Sequence, residues 1–273
     1  MNRKVITVLA VFVTLLLLVA GTGCTKLKAR DQLNKGVNAF RNASYPEAVE
    51  FFKQAVDLDP TFPTARLYLA TAYMMQYIPG AESEENMRMA KAAHDQFVEV
   101  LRTDPKNSVA LASIALLYFN QKKLDDAQQW YLKLVEADPK NKEAHYTLGV
   151  IAWTKAFQPR MEARAKLNMK AEDPGPLKDK KVREELRGKN GDVIETGIQH
   201  LQKALEIDKE YDDAMAYLNL LYRERADLQD TSDAYKKDTD LADEWVQKTL
   251  DTKKIKASRM PQGQITTATE AQQ

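Results

Sequence analysis

The chain has 273 residues, 44% of them hydrophobic, with 40 basic against 39 acidic side chains. Ten Gly and ten Pro amid abundant Ala, Leu, Lys and Glu favour helix, and the length allows one large domain or two ordinary ones. Balanced charge gives no footprint for nucleic acid. A lone cysteine, Cys24, excludes an intrachain disulfide framework and any cysteine-rich metal site.

The first predicted element is an export signal. Asn2-Arg3-Lys4 precedes an apolar run over 5–20, softened only by Thr7 and Thr14, and Gly21-Thr22-Gly23 leads into Cys24. Sixteen residues reach roughly 24 Å as a helix, short of the ~30 Å hydrocarbon core, which suits a secretory segment better than a permanent span. Two basic residues and no acid lie in the first 23, so the remainder carries a formal charge of −1. The layout resembles the lipobox of bacterial lipoproteins, although Gly21 stands where they usually carry Leu or Val. The resemblance implies a signal peptide over 1–23, acylation of Cys24, a short linker over 24–28, and a lipid anchor in the bacterial envelope. The anchored chain would face the periplasm, from the outer membrane rather than the inner. An uncleaved anchor and ordinary signal cleavage are the other two readings.

From Ala29 the chain repeats. Gly36, Ala48, Phe52, Ala55 and Pro60 begin the series, with Gln32, Lys35 and Ala39 at places that favour larger side chains. Leu69, Ala70, Tyr73, Ala93, Phe97, Val100 and Pro105 follow in phase. Pro60 to Pro105 is 45 residues, eleven more than the 34 that separate Pro105 from Pro139, which three extra helical turns shared by both helices accommodate. A turn is expected at Ile78-Pro79-Gly80, with Ser83 capping the next helix. The clearest unit, 108–141, carries Leu111, Ile114, Ala115, Tyr118, Ala127, Tyr131, Leu134 and Pro139. A fourth has His145, Leu148, Gly149, Ala152, Gly197, Leu201 and Ala204, interrupted by an insertion at about 155–191. A fifth has Met215, Leu218, Asn219 and Tyr222, then a helix over about 232–250 with Ala242, Trp245 and Val246 inward. Residues 252–273 read as a disordered polar tail.

Small residues recurring where helices cross, an aromatic four residues after the second, and a closing proline resemble the tetratricopeptide repeat (TPR). The small side chains let helix axes approach to about 8–10 Å. The resemblance implies an all-α fold, an α-α superhelix of about five helix-turn-helix repeats over 29–251 with the insertion in the fourth. It also implies that first helices line a concave groove where ligands lie. A second apolar stripe occupies those helices: Leu33, Val37 and Phe40; Leu67, Thr71 and Met74; Ala112, Leu116 and Phe119; Tyr146, Val150 and Trp153. Such a stripe suits an extended peptide or helix of a partner, unless part of the chain, such as the insertion, covers it. The insertion carries eleven basic and six acidic residues, matching either an anionic surface or a solvated helix face.

Catalytic chemistry has no foothold. His94, His145 and His200 lie on different repeats or half-repeats, and His145 falls where a large core residue is expected. There is no HExxH, no phosphate-cradling glycine loop and no nucleophile beside a recognisable base, so no enzyme activity, metal or cofactor is expected. The leading expectation is a lipid-anchored adaptor whose groove binds an envelope protein or peptide. Pilotins of type IV pilus secretins, the TPR lipoprotein of the outer-membrane-protein assembly machine, and adaptors of periplasmic proteases share this layout. The rival expectation is a structural protein that self-associates through the groove.

Overall fold

The structure, a computed structural model, describes residues 24–259. The expected signal peptide and residues 260–273 lie outside the described residues. Among the described residues there are helices and no strands: α1 (24–41), α2 (Tyr45–Leu58), α3 (Pro63–Met74), α4 (Glu84–Thr103), α5 (Ser108–Asn120), α6 (Leu124–Ala137), α7 (Lys142–Lys166), α8 (Lys180–Ile207), α9 (Asp212–Ala226) and α10 (Ser232–Arg259).

Local chemistry sets these boundaries. The residue before a proline avoids helical backbone. Asp59 and Asp104, each preceding one, take φ of −142° and −136° and end α2 and α4. Restarts are capped: the side chains of Ser83, Asn107, Asn141 and Asp179 accept from the amides of Asn86, Ala110, Ala144 and Val182 at 3.2, 3.0, 2.9 and 2.9 Å. Each cap satisfies an amide that the first helical turn leaves unpaired.

The described residues divide into two compact units within α6, one ending at Trp130 and the other beginning at Tyr131. In the first, α2, α3, α4 and α5 pack in succession around Phe52, Phe97, Ile114 and Leu117, all fully buried. In the second, α7 lies against both α8 and α9, and α10 against α9, around Ile194, Leu201, Leu218 and Leu221. The glycines at the crossings have no room for a side chain. A Cβ on Gly36 would lie 2.4 Å from Phe52, one on Gly149 2.3 Å from Leu201, and one on Gly197 2.4 Å from the Cβ of Ala152.

Four expectations are corrected. Residues 24–28 are helical, part of α1 rather than a linker. In the second repeat only α4 lengthens, to 20 residues, while α3 stays at 12. The rest becomes the 75–83 connection, pinned by the buried Asn86: its Oδ1 accepts from Ile78 N (2.7 Å), and its Nδ2 donates to Ile78 O (2.8 Å) and Ala81 O (2.7 Å). The helical part of the expected tail continues to Arg259, because Lys256 pairs with Asp212 and Arg259 reaches Glu210 at 2.7 Å. Val246 is 36% exposed; Asp238, Ala242 and Thr249 face inward instead, since Val246 lies about 100° round the helix from the half-buried Trp245.

Candidate partner-binding surface

In the first unit the stripe residues lie on α1, α3 and α5. Leu33, Val37 and Phe40 are half-buried against a core that includes Ala48, Phe52 and Leu69. The ring of Phe40 meets Tyr45 at 5.3 Å and Tyr68 at 6.4 Å, both edge-on. Leu67 and Met74 are half-buried against Ala70, Phe97 and Ile114. Leu116 is 38% exposed and Phe119, one turn on, half-buried. Away from the stripe, a cavity of about 350 Å³ is lined by Met87, Ala90, His94, Leu117, Tyr118 and Lys123.

In the second unit the stripe forms an aromatic cluster on α7 and α9. Tyr217 of α9 sits edge-on to both Tyr146 (5.6 Å, 80°) and Trp153 (5.6 Å, 78°). Tyr146 also meets Tyr211 at 5.2 Å, and Trp153 meets Phe157 at 5.1 Å. Phe157 is exposed, and the other four rings are half-buried. Edge-to-face contacts of this kind add about 0.5–1.5 kcal/mol beyond burial, so the surface is firm before any partner arrives. Burial, assisted by neighbouring carboxylates such as Glu143, pushes the Tyr211 hydroxyl up to about 12 and the Tyr146 hydroxyl higher still. Both stay neutral donors at physiological pH. Lys142 lies 5.1 Å from the Tyr211 ring and donates to Asp208 at 2.6 Å.

Val150 is a correction. It is buried, because α7 is flanked by α8 and α9, and is closed to a partner. Conversely, Phe157, Tyr211 and Tyr217 belong to the surface but were absent from the sequence-based stripe. Phe157 lies at i+4 from Trp153 and continues the stripe, a signal legible in the spacing. Tyr211 precedes the first turn of α9 and carries no periodic signal.

Four arginines of the basic insertion bond within the fold: Arg183 to the Leu177 carbonyl, Arg187 to the Leu228 carbonyl and Asp230, and the two least exposed, Arg160 and Arg164, to the end of α9. The insertion lengthens both α7 and α8 and leaves a connection over 167–179. Arg164, 2% exposed, donates to both carboxylate oxygens of Asp227 at 2.8 Å and to the carbonyls of Lys170 and Asp173. Arg160 donates to Glu224 (2.7 Å) and Asp227 (2.9 Å). Leu177 N donates to Asp227 O at 3.1 Å. The connection is thereby strapped to the end of α9. Burial pushes the Glu224 carboxyl up to about 7, against the pull of Arg160.

Sequence separation placed the histidines apart, but the structure joins two of them. His145 is buried, as its position predicted, and its Nδ1 lies 2.9 Å from Nδ1 of His200. The ring centroids are 5.2 Å apart, so the nitrogens face each other head-on. A metal ion ~2.0 Å from each nitrogen has no room on that line. Among the described residues no group of three or more His, Cys, Asp or Glu is arranged to hold a metal ion.

Helical hairpins stacked through Gly and Ala crossings define the α-α superhelix class. Within it, residues 87–151 match the family model of the tetratricopeptide repeat. The chain is similar in fold to the crystal structure of MamA protein, with a TM-score of 0.59, 13% identity, and coverage of 86% of this chain and 96% of that one. It is similar also to YrrB, described as a TPR protein with an unusual peptide-binding site (TM-score 0.52, 16% identity, 88% and 90% covered). Among curated proteins it is 25% identical over 203 residues to the probable UDP-N-acetylglucosamine–peptide N-acetylglucosaminyltransferase SPINDLY of Hordeum vulgare. That match covers 72% of this chain and spans 17% of the barley protein's length.

Proposed function

We propose that this chain is a non-catalytic adaptor, anchored in the bacterial envelope by a lipid on Cys24, that holds a segment or helix of an envelope protein against its first helices. The observation that carries the reading is the aromatic cluster on α7 and α9. Phe157 is exposed, Trp153 and Tyr217 are half-buried, and the rings brace one another with contacts of 5.1–5.6 Å. Rigid aromatic area at little entropic cost is what peptide-binding surfaces use. The fold likeness to YrrB, whose described site binds peptide, supports a role of this kind. The exposed Cys24, preceded by an apolar run and small residues, supports the anchor. Pilotin-like, assembly-factor-like and protease-adaptor-like roles all fit such an arrangement.

Photo-crosslinking in cells tests it. A photoreactive residue at 157 is expected to capture one envelope protein, and adding Trp153→Ala is expected to reduce that capture at least tenfold. Capture of a second copy of this chain alone would replace the adaptor with the self-associating structural protein. Capture of nothing would sink both.

A further inference from the structure

The α7–α8 hairpin contains a polar contact that the aromatic surface does not use. Gly149 and Gly197 let the two helices approach closely, and at that approach His145, near the start of α7, meets His200 of α8. The head-on Nδ1–Nδ1 separation of 2.9 Å leaves room for one proton between the rings. Nε2 of His145 lies 3.2 Å from the carbonyl of Pro139, and a carbonyl only accepts, so this nitrogen carries a hydrogen. Nδ1 of His145 is then the acceptor, and Nδ1–H of His200 donates to it.

We propose that this pair is an acid-labile latch: it fixes α7 to α8 and to the turn after α6 at neutral pH, and opens progressively as pH falls below about 6.5. A first proton is accommodated within the closed pair. It arrives at Nε2 of His200 as the Nδ1 hydrogen of His200 passes to His145, so that His145 carries hydrogen on both nitrogens and donates from Nδ1, while His200 accepts at Nδ1 with its one hydrogen on Nε2. A second proton sets N–H against N–H and breaks the contact. The charged groups that act on the pair are Asp138 at the end of α6, and Lys203 and Glu206 of α8. Lys203 is itself paired with Glu206 at 2.6 Å. The carboxylates ease the first proton and Lys203 opposes it.

Burial holds both imidazoles below their ordinary range, His200 at about 4 with His145 as the further cause. The sign follows from linkage. An opened histidine takes up a proton below about 6.5, whereas closed His200 does not until about 4. The closed-to-open ratio therefore falls as pH drops through that window, on the order of 100-fold by its lower end. Glu224 works in the opposite sense. Its raised carboxyl favours the folded state as pH falls from about 7 toward 4.5, so only a local measurement isolates the latch. Tyr146 adjoins His145, and Trp153 lies two turns further along α7; acid would loosen the helix that carries the binding surface. That consequence rests on the adaptor reading, and the latch itself does not.

Hydrogen exchange of the full chain in detergent micelles, corrected for the intrinsic pH dependence of exchange, tests the latch. Amides of α7 and α8 are expected to lose at least tenfold protection between pH 7 and pH 5. His200→Gln, whose carboxamide can still donate to His145 without titrating, is expected to keep it. Undiminished protection in the wild type, or an equal loss in the variant, overturns the latch. Ring nitrogen shifts of the wild type decide the matter without a variant. At pH 7, His145 hydrogenated on Nε2 and His200 on Nδ1 support the proposal; the opposite tautomer of either ring, or a cationic ring at that pH, ends it.

Discussion

Two glycines of α8 should answer substitution in opposite directions. Gly197 faces the Cβ of Ala152 at 2.4 Å and a Leu221 methyl at 2.9 Å from where its own Cβ would stand. Gly197→Ala gains ~1 kcal/mol of helix propensity but overpacks a crossing, at about 1–3 kcal/mol. The expected net loss is up to about 2 kcal/mol. A Cβ on Gly188 meets nothing within 4 Å, so Gly188→Ala should gain up to ~1 kcal/mol. Urea unfolding of the full chain should lower the midpoint for the first and raise it for the second. Gly197 was readable in the sequence because it falls in phase with Ala93 and Ala127, and a crossing tolerates nothing larger. The His145–His200 contact was not, since it joins residues 55 apart across an insertion that hides their register.

At the scale of elements, the insertion depends on one buried cation. Arg164→Ala leaves the buried Asp227 without one of its two guanidinium partners, the Asp173 carbonyl without its guanidinium donor, and the Lys170 carbonyl with only the Asp173 amide at 3.3 Å. Removing one member of a buried pair costs about 3–5 kcal/mol. Limited proteolysis should cut the variant within 167–179 at protease concentrations that leave the wild type whole. The sequence carries the helix-breaking run Asp173-Pro174-Gly175-Pro176, and the chain bends there. It could not reveal that Arg164 is interior, because charge runs are ordinarily solvated and its partner lies 63 residues on. The same limit applied to the second repeat. Eleven extra residues fit two longer helices as well as one longer helix and a loop, and Asn86, a polar residue without periodic signal, decides between them.

At the scale of the molecule, the repeat phase was legible from Gly36 to Tyr222, because in-phase residues such as Ala48, Phe52, Ala93, Phe97, Ala127 and Leu201 are buried between helices, where a misfit in volume is costly. The aromatic surface was half legible: Tyr146 and Trp153 came from the stripe, whereas Tyr217 joins it from α9. The proposed lipid anchor belongs to this scale too. Radioactive palmitate should label the wild type and leave Cys24→Ser unlabelled, with the variant leaving the membrane fraction; equal labelling would refute acylation at Cys24.

The long-range strap on Arg164 also has a consequence in time. Its anionic partner Asp227 is made 63 residues later, and at translation rates of about 5–20 residues per second the delay is roughly 3–13 s. Throughout that interval the nascent hairpin tip has an uncompensated guanidinium and no anchorage. A chain that emerges amino-terminus first, from the ribosome or from an export channel, is therefore open to proteases at 167–179 until the end of α9 has followed.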